Sequence, residues 1–301
     1  MIQFNPSKIL IPVDFSETSL LAIKHGAFIA QYSKSDLFLL HVVNLPFMSQ
    51  NLFLPLVNIE DQSEIENKVT MKLSEISKEI QSEYGVQVES IIKIGSPSSE
   101  ITNVAQEIGA TMIVMGTHGY SPLEELVIGS VALKVITKSS CPTMAMSVEA
   151  AHKGYNKIVI PIDTTANSRQ KVNFAIGMAK KFNATLHAIA LLGADEDSEK
   201  PAMELILHQV ENLAKEKDVT CHTEVLSNLT NRATATVEFT EKVGGDLIVI
   251  MTDQDAELSG FFLGPYSQQI IHKSKVPVVA IKPNQLFVTG NIGLMSGTSG
   301  G

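Results

Sequence analysis

The chain is poor in the features that mark secreted scaffolds, metalloproteins, membrane proteins and polyanion binders. Of 301 residues only Cys141 and Cys221 are cysteine, and they form no CxxC pair. A disulfide framework and a cysteine-based zinc site are therefore not suggested, and a reducing compartment fits. The eight histidines show no HExxH or comparable spacing, so no designed zinc site is expected. No run approaches the roughly 20 apolar residues of a membrane span, and no basic region with a long apolar stretch opens the chain. A cytoplasmic location is expected. Lys and Arg number 23 against 32 Asp and Glu, for a net charge of −9, and they are scattered. Neither nucleic acid nor a membrane is an expected partner. The phosphate-binding pattern GxxxxGK[ST] is missing as well, as are HIGH-like and SGGxDS-like signatures of adenylating enzymes. What is present is 44% hydrophobic and 18% charged residues, the composition of a globular chain whose length suggests two domains.

The chain repeats itself. Lys8-Ile-Leu-Ile-Pro-Val-Asp14 returns as Lys157-Ile-Val-Ile-Pro-Ile-Asp163, five of seven residues identical at an offset of 149. Later, Gly109 to Met115 aligns with Gly244 to Ile250 at an offset of 135, carrying Gly129 onto Gly264 and Pro142 onto Pro277. In each copy short β-branched runs alternate with helix-like segments. The first copy reads as strands at 8–13, 35–43, 87–94, 111–115 and 142–147, with helices at 17–33, 61–84, 97–108 and 130–138. The second has strands near 157–162, 184–192, 218–226, 246–251 and 276–281. Such alternation implies parallel β-α-β units under helices on both faces. The expected layout is a domain at 1–149, a domain at 155–283, and a loose Gly- and Ser-rich tail at 284–301.

Gly116-Thr-His-Gly119, nine residues, then Gly129-Ser130 follows the apolar run 111–115 and leads into an apolar-periodic segment. This is a strand, a glycine loop and a helix start, which offers unpaired N–H groups and a positive helix end to a phosphate. Gly116 and Gly119 would admit phosphate oxygens where a Cβ would intrude. Read singly, the glycines only shape a loop, Asp14 and Ser16 cap a helix, His118 is an exposed loop residue, and His41 is a packed strand residue. In the second copy Gly116 becomes Met251, Gly119 becomes Gln254 and Ser130 becomes Pro265, with Gly264 kept. A phosphate cradle is therefore expected in the first copy and not in the second.

With Pro12-Val13-Asp14, Leu39-Leu40-His41-Val42, the Gly-x-x-Gly-x9-Gly-Ser loop and Ser139-Ser140-Cys141-Pro142 in place, the chain resembles the universal stress protein family in its tandem form. That resemblance implies an α/β fold of two doubly wound domains. Each would be a five-stranded parallel sheet in the order 3-2-1-4-5 with helices on both faces, of the adenine nucleotide alpha hydrolase-like kind. The ligand would be ATP or AMP, with magnesium as a possible companion. By similarity, main chain near Val13 and Val42 would bracket the adenine beside Pro12. Asp14 would lie near the ribose or adenine edge and offer a magnesium contact. Gly116, His118, Gly119, Gly129 and Ser130 would surround the phosphates, and Met115 and Val131 would form apolar walls. The resemblance also implies pairing through the last strand of each domain, which in a tandem chain joins the two halves as a pseudo-dimer, with two chains then forming a larger homodimer. Its functional class is a regulatory binder; slow ATP hydrolysis and an apolar-ligand scaffold using Phe261-Phe262-Leu263 are the alternatives.

Overall fold

The computed structural model describes residues 2–44, 59–119, 128–150, 154–163, 165–252 and 263–283. The first half runs β1 (Lys8–Pro12), α1 (Glu17–Ser33), β2 (Asp36–Val43), α2 (Ile59–Tyr84), β3 (Val88–Ile94), α3 (Pro97–Glu107), β4 (Met112–Gly116), α4 (Ser130–Lys138) and β5 (Thr143–Met146). The second repeats the order as β6 (Lys157–Ile162), α5 (Ala166–Phe182), β7 (Thr185–Gly193), α6 (Lys200–Glu216), β8 (Cys221–Leu229), α7 (Arg232–Val243), β9 (Leu247–Met251), α8 (Pro265–Lys273) and β10 (Val278–Ile281). The main departure from the sequence pattern is β8, which starts at Cys221 and not near 218, because Asp218 takes a left-handed turn at φ 59. The apolar connection at 45–57, Phe261 and Phe262, and the tail at 284–301 lie outside the described residues.

Local chemistry sets the helix ends. Ser16, Thr165 and Asn231 cap α1, α5 and α7 by accepting from the N–H three residues on, while Lys34, Asn183 and Gly244 close the same helices in the left-handed region. These satisfy N–H and C=O groups that a helix leaves unpaired at its ends. Ser96 holds the cap position of α3 before Pro97 but makes no side-chain cap bond.

All ten strands form one sheet in the order β3-β2-β1-β4-β5-β10-β9-β6-β7-β8. Each half contributes a parallel sheet in the order 3-2-1-4-5, and β5 pairs antiparallel with β10, Met144 opposite Val279. The halves are thus related by a pseudo-two-fold through the β5·β10 seam, and their strand carboxyl ends lie at opposite edges of the sheet. Alternate strand residues feed two cores. Ile9, Ile11, Leu37 and Leu39 face α1, α2, α5 and α6, whereas Leu10, Phe38 and Leu40 face α3, α4, α7 and α8. Both cores run through the seam, with residues of both halves in each.

On the α1 and α5 side an aromatic cluster crosses the pseudo-two-fold. Phe182 of α5 stacks on Phe28 of α1 at 5.6 Å and meets Tyr155 at 5.1 Å. Phe4 reaches over to Phe174 at 5.3 Å. His25, fully buried, donates Nε2–H to the Ala150 carbonyl at 3.1 Å and leaves Nδ1 to the Tyr155 hydroxyl at 2.7 Å. This ties the segment between the halves back onto α1. Because Phe182 joins both halves, Phe182→Ala should lower stability by about 2–4 kcal/mol. Urea unfolding should show a lower midpoint with an unchanged slope.

Candidate functional site

In the first half β1 lies between β2 and β4, and the chain leaves its two neighbours in opposite directions. A crevice forms at such a switch point beyond the strand carboxyl ends. The cavity there measures about 240 Å³. Its walls include every residue singled out from sequence: Pro12 at the end of β1, Val13 and Asp14 just after it, and Val42 from β2. Met115, Gly116, His118 and Gly119 come from β4 and its loop, and Gly129, Ser130 and Val131 from the start of α4. Sequence reasoning missed Ser19, Leu40, Pro97, Ile101, Thr117 and Ala132, which complete the lining. Pro97 and Ile101 were findable, since α3 starts at the same sheet edge.

The glycines answer to the protein's own packing. A Cβ on Gly116 would stand 2.6 Å from Thr18 Oγ1 and 2.7 Å from Thr18 Cβ. Beside the phosphate approach expected from sequence, Gly116 has a packing reason: it lets α1 close on β4. Thr18 Oγ1 then donates to the His118 carbonyl at 2.5 Å and pins the loop. At Gly119 a Cβ would lie 2.8 Å from Asp14 Oδ2. Asp14 Oδ1 accepts from Ser16 N at 3.0 Å and Ser16 Oγ at 2.5 Å. One carboxylate oxygen therefore holds the entry to α1, and the other faces the glycine loop.

His118 is half-buried, not an exposed loop residue. Thr117 Oγ1 donates its single proton to Met146 O, so it accepts from His118 Nδ1, and the buried Nε2 has no hydrogen-bond partner among the described residues. Gly129 opens α4 with no side-chain cap, its N–H given to Thr117 O at 2.8 Å. The next three N–H groups, of Ser130, Val131 and Ala132, have no acceptor within the helix. They belong to lining residues, and among the described residues the lining holds no lysine or arginine. An anion here would be met by N–H groups and the helix dipole. Among the described residues Asp14 is the one acidic side chain of the lining, and a magnesium ion held by one carboxylate and phosphates is a common arrangement. Among the described residues no cluster of three or more metal-ligating side chains occurs.

At the opposite end, Val13 N donates to Leu40 O at 2.8 Å and Val13 O accepts from His41 Nδ1 at 2.7 Å. Both main-chain groups of Val13 are used. Main chain near Val13 is expected to bracket a base; the Val13 N–H is spent within the sheet, and its carbonyl already accepts one hydrogen bond.

The model of the universal stress protein family matches residues 6–146 and 154–282. The chain belongs to the universal stress protein family. A universal stress protein of Methanocaldococcus jannaschii is 34% identical over 152 residues, covering 46% of this chain and 93% of that one. One from Bacillus subtilis is 34% identical over 143 residues, covering 46% of this chain and 97% of that one. The crystal structure of a universal stress protein from Archaeoglobus fulgidus is similar along the tandem, with a TM-score of 0.73 at 20% identity over 93% of this chain and 97% of that one. No helix among the described residues is long and apolar enough to cross a membrane.

In this universal stress protein the second crevice carries larger side chains that bond to one another. At the offset of 135, Val131 becomes Tyr266 and Ile101 becomes Thr236; both are buried, with their hydroxyls 3.0 Å apart. Met251, fully buried, replaces Gly116, and its carbonyl accepts from Ser267 Oγ at 2.8 Å. Arg232 replaces Pro97 and pairs with Glu196, whose other oxygen accepts from Gly193 N at 2.8 Å. Gln254 lies outside the described residues. The turn into α5 is kept, with Asp163 Oδ1 accepting from Thr165 N and Oγ1 as Asp14 does from Ser16. Beneath it Lys171 replaces Ala22. It is fully buried, with Nζ 3.0 Å from both Ser168 O and Ser168 Oγ. Of these only Met251 was legible from the glycine motif; carrying every lining position through the offset would have found Arg232, Thr236, Tyr266 and Ser267, though not Glu196 or Lys171.

Burial lowers the Lys171 ammonium to about 7, against a smaller opposing pull from Asp163. The unfolded chain, with a lysine near 10.4, then binds more protons than the folded one between these values. Stability should rise with pH across roughly pH 7–10, by up to about 1.4 kcal/mol per unit. Lys171→Met should remove that rise and raise stability at neutral pH. Urea titrations of both proteins from pH 6.5 to 10 check this.

Proposed function

We propose that the first half binds an adenine nucleotide, ATP or AMP, as the regulatory ligand of a cytoplasmic stress-response protein, and that the second half is its fixed pseudo-dimer partner. One observation carries the reading. The open first turn of α4, the Gly116–Gly119 loop, Asp14 and Val42 surround a single cavity at the sheet's switch point. The phosphates would lie on the N–H groups of residues 130–132 with the Ser130 hydroxyl beside them. Magnesium would be held between phosphate and Asp14 Oδ2, and the base would lie toward Val42 between apolar walls. Regulation is favoured over hydrolysis because the described residues of the lining supply no lysine, no arginine and no evident base beside Asp14. In the second half the Tyr266–Thr236 hydroxyl pair stands at positions that are open wall in the first, which supports one site per chain. β5 and β10 are each paired on both edges within the chain, so a homodimer would form through another face.

Protein denatured straight after purification should release one adenine nucleotide per chain, read by mass, and stripped protein should titrate to one equivalent of ATP. Gly119→Gln, which drives a side chain against Asp14, should weaken binding at least about tenfold, and Ser130→Ala by about fivefold, the worth of one hydrogen bond. Recovery of two equivalents, or no release and no titration, would overturn the proposal. Phosphate release measured alongside separates a binder from an ATPase.

A further inference from the structure

The two halves end their β1·β2 and β6·β7 ladders at different places, and the difference falls at the base end of the crevice. In the first half the last paired residues are Pro12 and Leu40. Their counterparts, Pro161 and Ile189, are followed in the second half by one further pair, Ile162 with Ala190. Proline has no N–H, so each proline pair must be made by the flanking bonds: Leu40 or Ile189 N–H to the residue before proline, and the residue after proline to the Leu40 or Ile189 carbonyl. Val13 N to Leu40 O, at 2.8 Å, is that second bond in the first half. In a parallel ladder the next bond runs from Val42 N–H to Val13 O, and in the second half from Leu191 N–H to Ile162 O. Pairing of Ile162 with Ala190 requires the latter, since Asp163 N–H is given to Ser168 Oγ. The former is not made. Val13 O is instead held by His41 Nδ1 at 2.7 Å.

His41 stands where the second half has Ala190, which has no donor to offer. A carbonyl only accepts, so the His41 ring carries its proton on Nδ1. The ring is held by Phe15, 4.9 Å away and tilted by 30°. Phe15 itself sits at φ 67, outside the extended region, and turns the chain out of the ladder. Val42 points its N–H and C=O to the same side as Leu40, toward the place β1 has vacated. An adjacent donor and acceptor of that kind match the edge of a purine that carries a ring nitrogen beside an exocyclic amine.

We infer that His41 is a positioning residue that ends the β1·β2 ladder one bond early and so leaves the Val42 main chain to read the base. It does so by occupying the Val13 carbonyl, without touching the ligand. This rests on nucleotide binding by the first half, but the ladder itself can be tested without ligand. Amide hydrogen exchange followed by NMR in nucleotide-free protein should show Val42 exchanging at least about tenfold faster than Leu191, the equivalent of one hydrogen bond. His41→Ala, or the strand-favouring His41→Val should alanine fold poorly, should slow Val42 to the Leu191 rate. The same variants should weaken AMP binding at least about tenfold and reduce the preference for AMP over GMP. His41→Asn, which keeps a donor at the δ position, should retain fast exchange at Val42 and most of the affinity. Equal exchange at Val42 and Leu191 in the native protein, or no slowing at Val42 in the alanine and valine variants, overturns the inference. Slowed exchange with unchanged AMP affinity and preference overturns its ligand half. Absence of AMP binding by the native protein counts against the proposed function, and the exchange comparison still decides the ladder.

Discussion

The antiparallel pairing of β5 with β10 is the constraint on which the rest of the molecule depends. It converts two five-stranded sheets into one of ten strands and runs both cores through the seam. It also fixes the direction of each half. Since the strands of the two halves run oppositely, their crevices open at opposite edges of the sheet and cannot share a ligand. The seam lies close to the first crevice all the same. Met146, the last residue of β5, accepts hydrogen bonds from Thr117 N and Thr117 Oγ1, so the loop that lines the cavity hangs from the strand that joins the halves. Thr252 N makes the matching bond to Ile281 O on β10.

Inside that frame, the same backbone carries two different crevices. The turn into the first helix, with an Asp carboxylate accepting from the cap residue, is preserved in both halves. So are the glycine before α4 or α8 and the bond from its N–H to the Thr117 or Thr252 carbonyl. The change is in side-chain volume and polarity at the walls. Apolar Val131 and Ile101 give way to Tyr266 and Thr236, and Gly116 gives way to Met251. A buried hydroxyl must find a partner: Tyr266 donates to Thr236 Oγ1, which gives its own proton to the Arg232 carbonyl. Lys171 is the costly member of the set, because a buried ammonium at the positive end of α5 gains little from the helix dipole.

What the sequence made legible follows the range of the interactions involved. The alternation of strands and helices, the repeat and the strand order are carried by local periodicity and by motif resemblance, and the elements fall close to their expected bounds. The Pro12-Val13-Asp14 and Gly116–Ser130 segments could be placed together because a parallel sheet brings the ends of β1 and β4 to one edge. The reasons behind individual residues were less legible. Gly116 is needed because Thr18, 98 residues earlier, closes on it. Main-chain hydrogen bonding at Val13 depends on a side chain in the neighbouring strand. Tyr266 and Thr236 are 30 residues apart and become a pair only when α7 and α8 pack.

These cases share a physical cause. Sequence motifs report which backbone conformations are permitted, whereas a ligand site depends on which main-chain groups are left unpaired once folding is complete. A parallel ladder consumes N–H and C=O groups until something stops it. In the second half nothing does until Ile162 has paired with Ala190, and the loop beyond is then closed by the Glu196 carboxylate on Gly193 N–H. In the first half a histidine takes the acceptor, and a phenylalanine in the left-handed region turns the strand away. Unpaired polar groups beside an apolar cavity are costly unless water or a ligand meets them. That cost is the physical basis for proposing a ligand at the first crevice, whereas at the matching positions of the second the side chains are larger and hydrogen-bonded to one another.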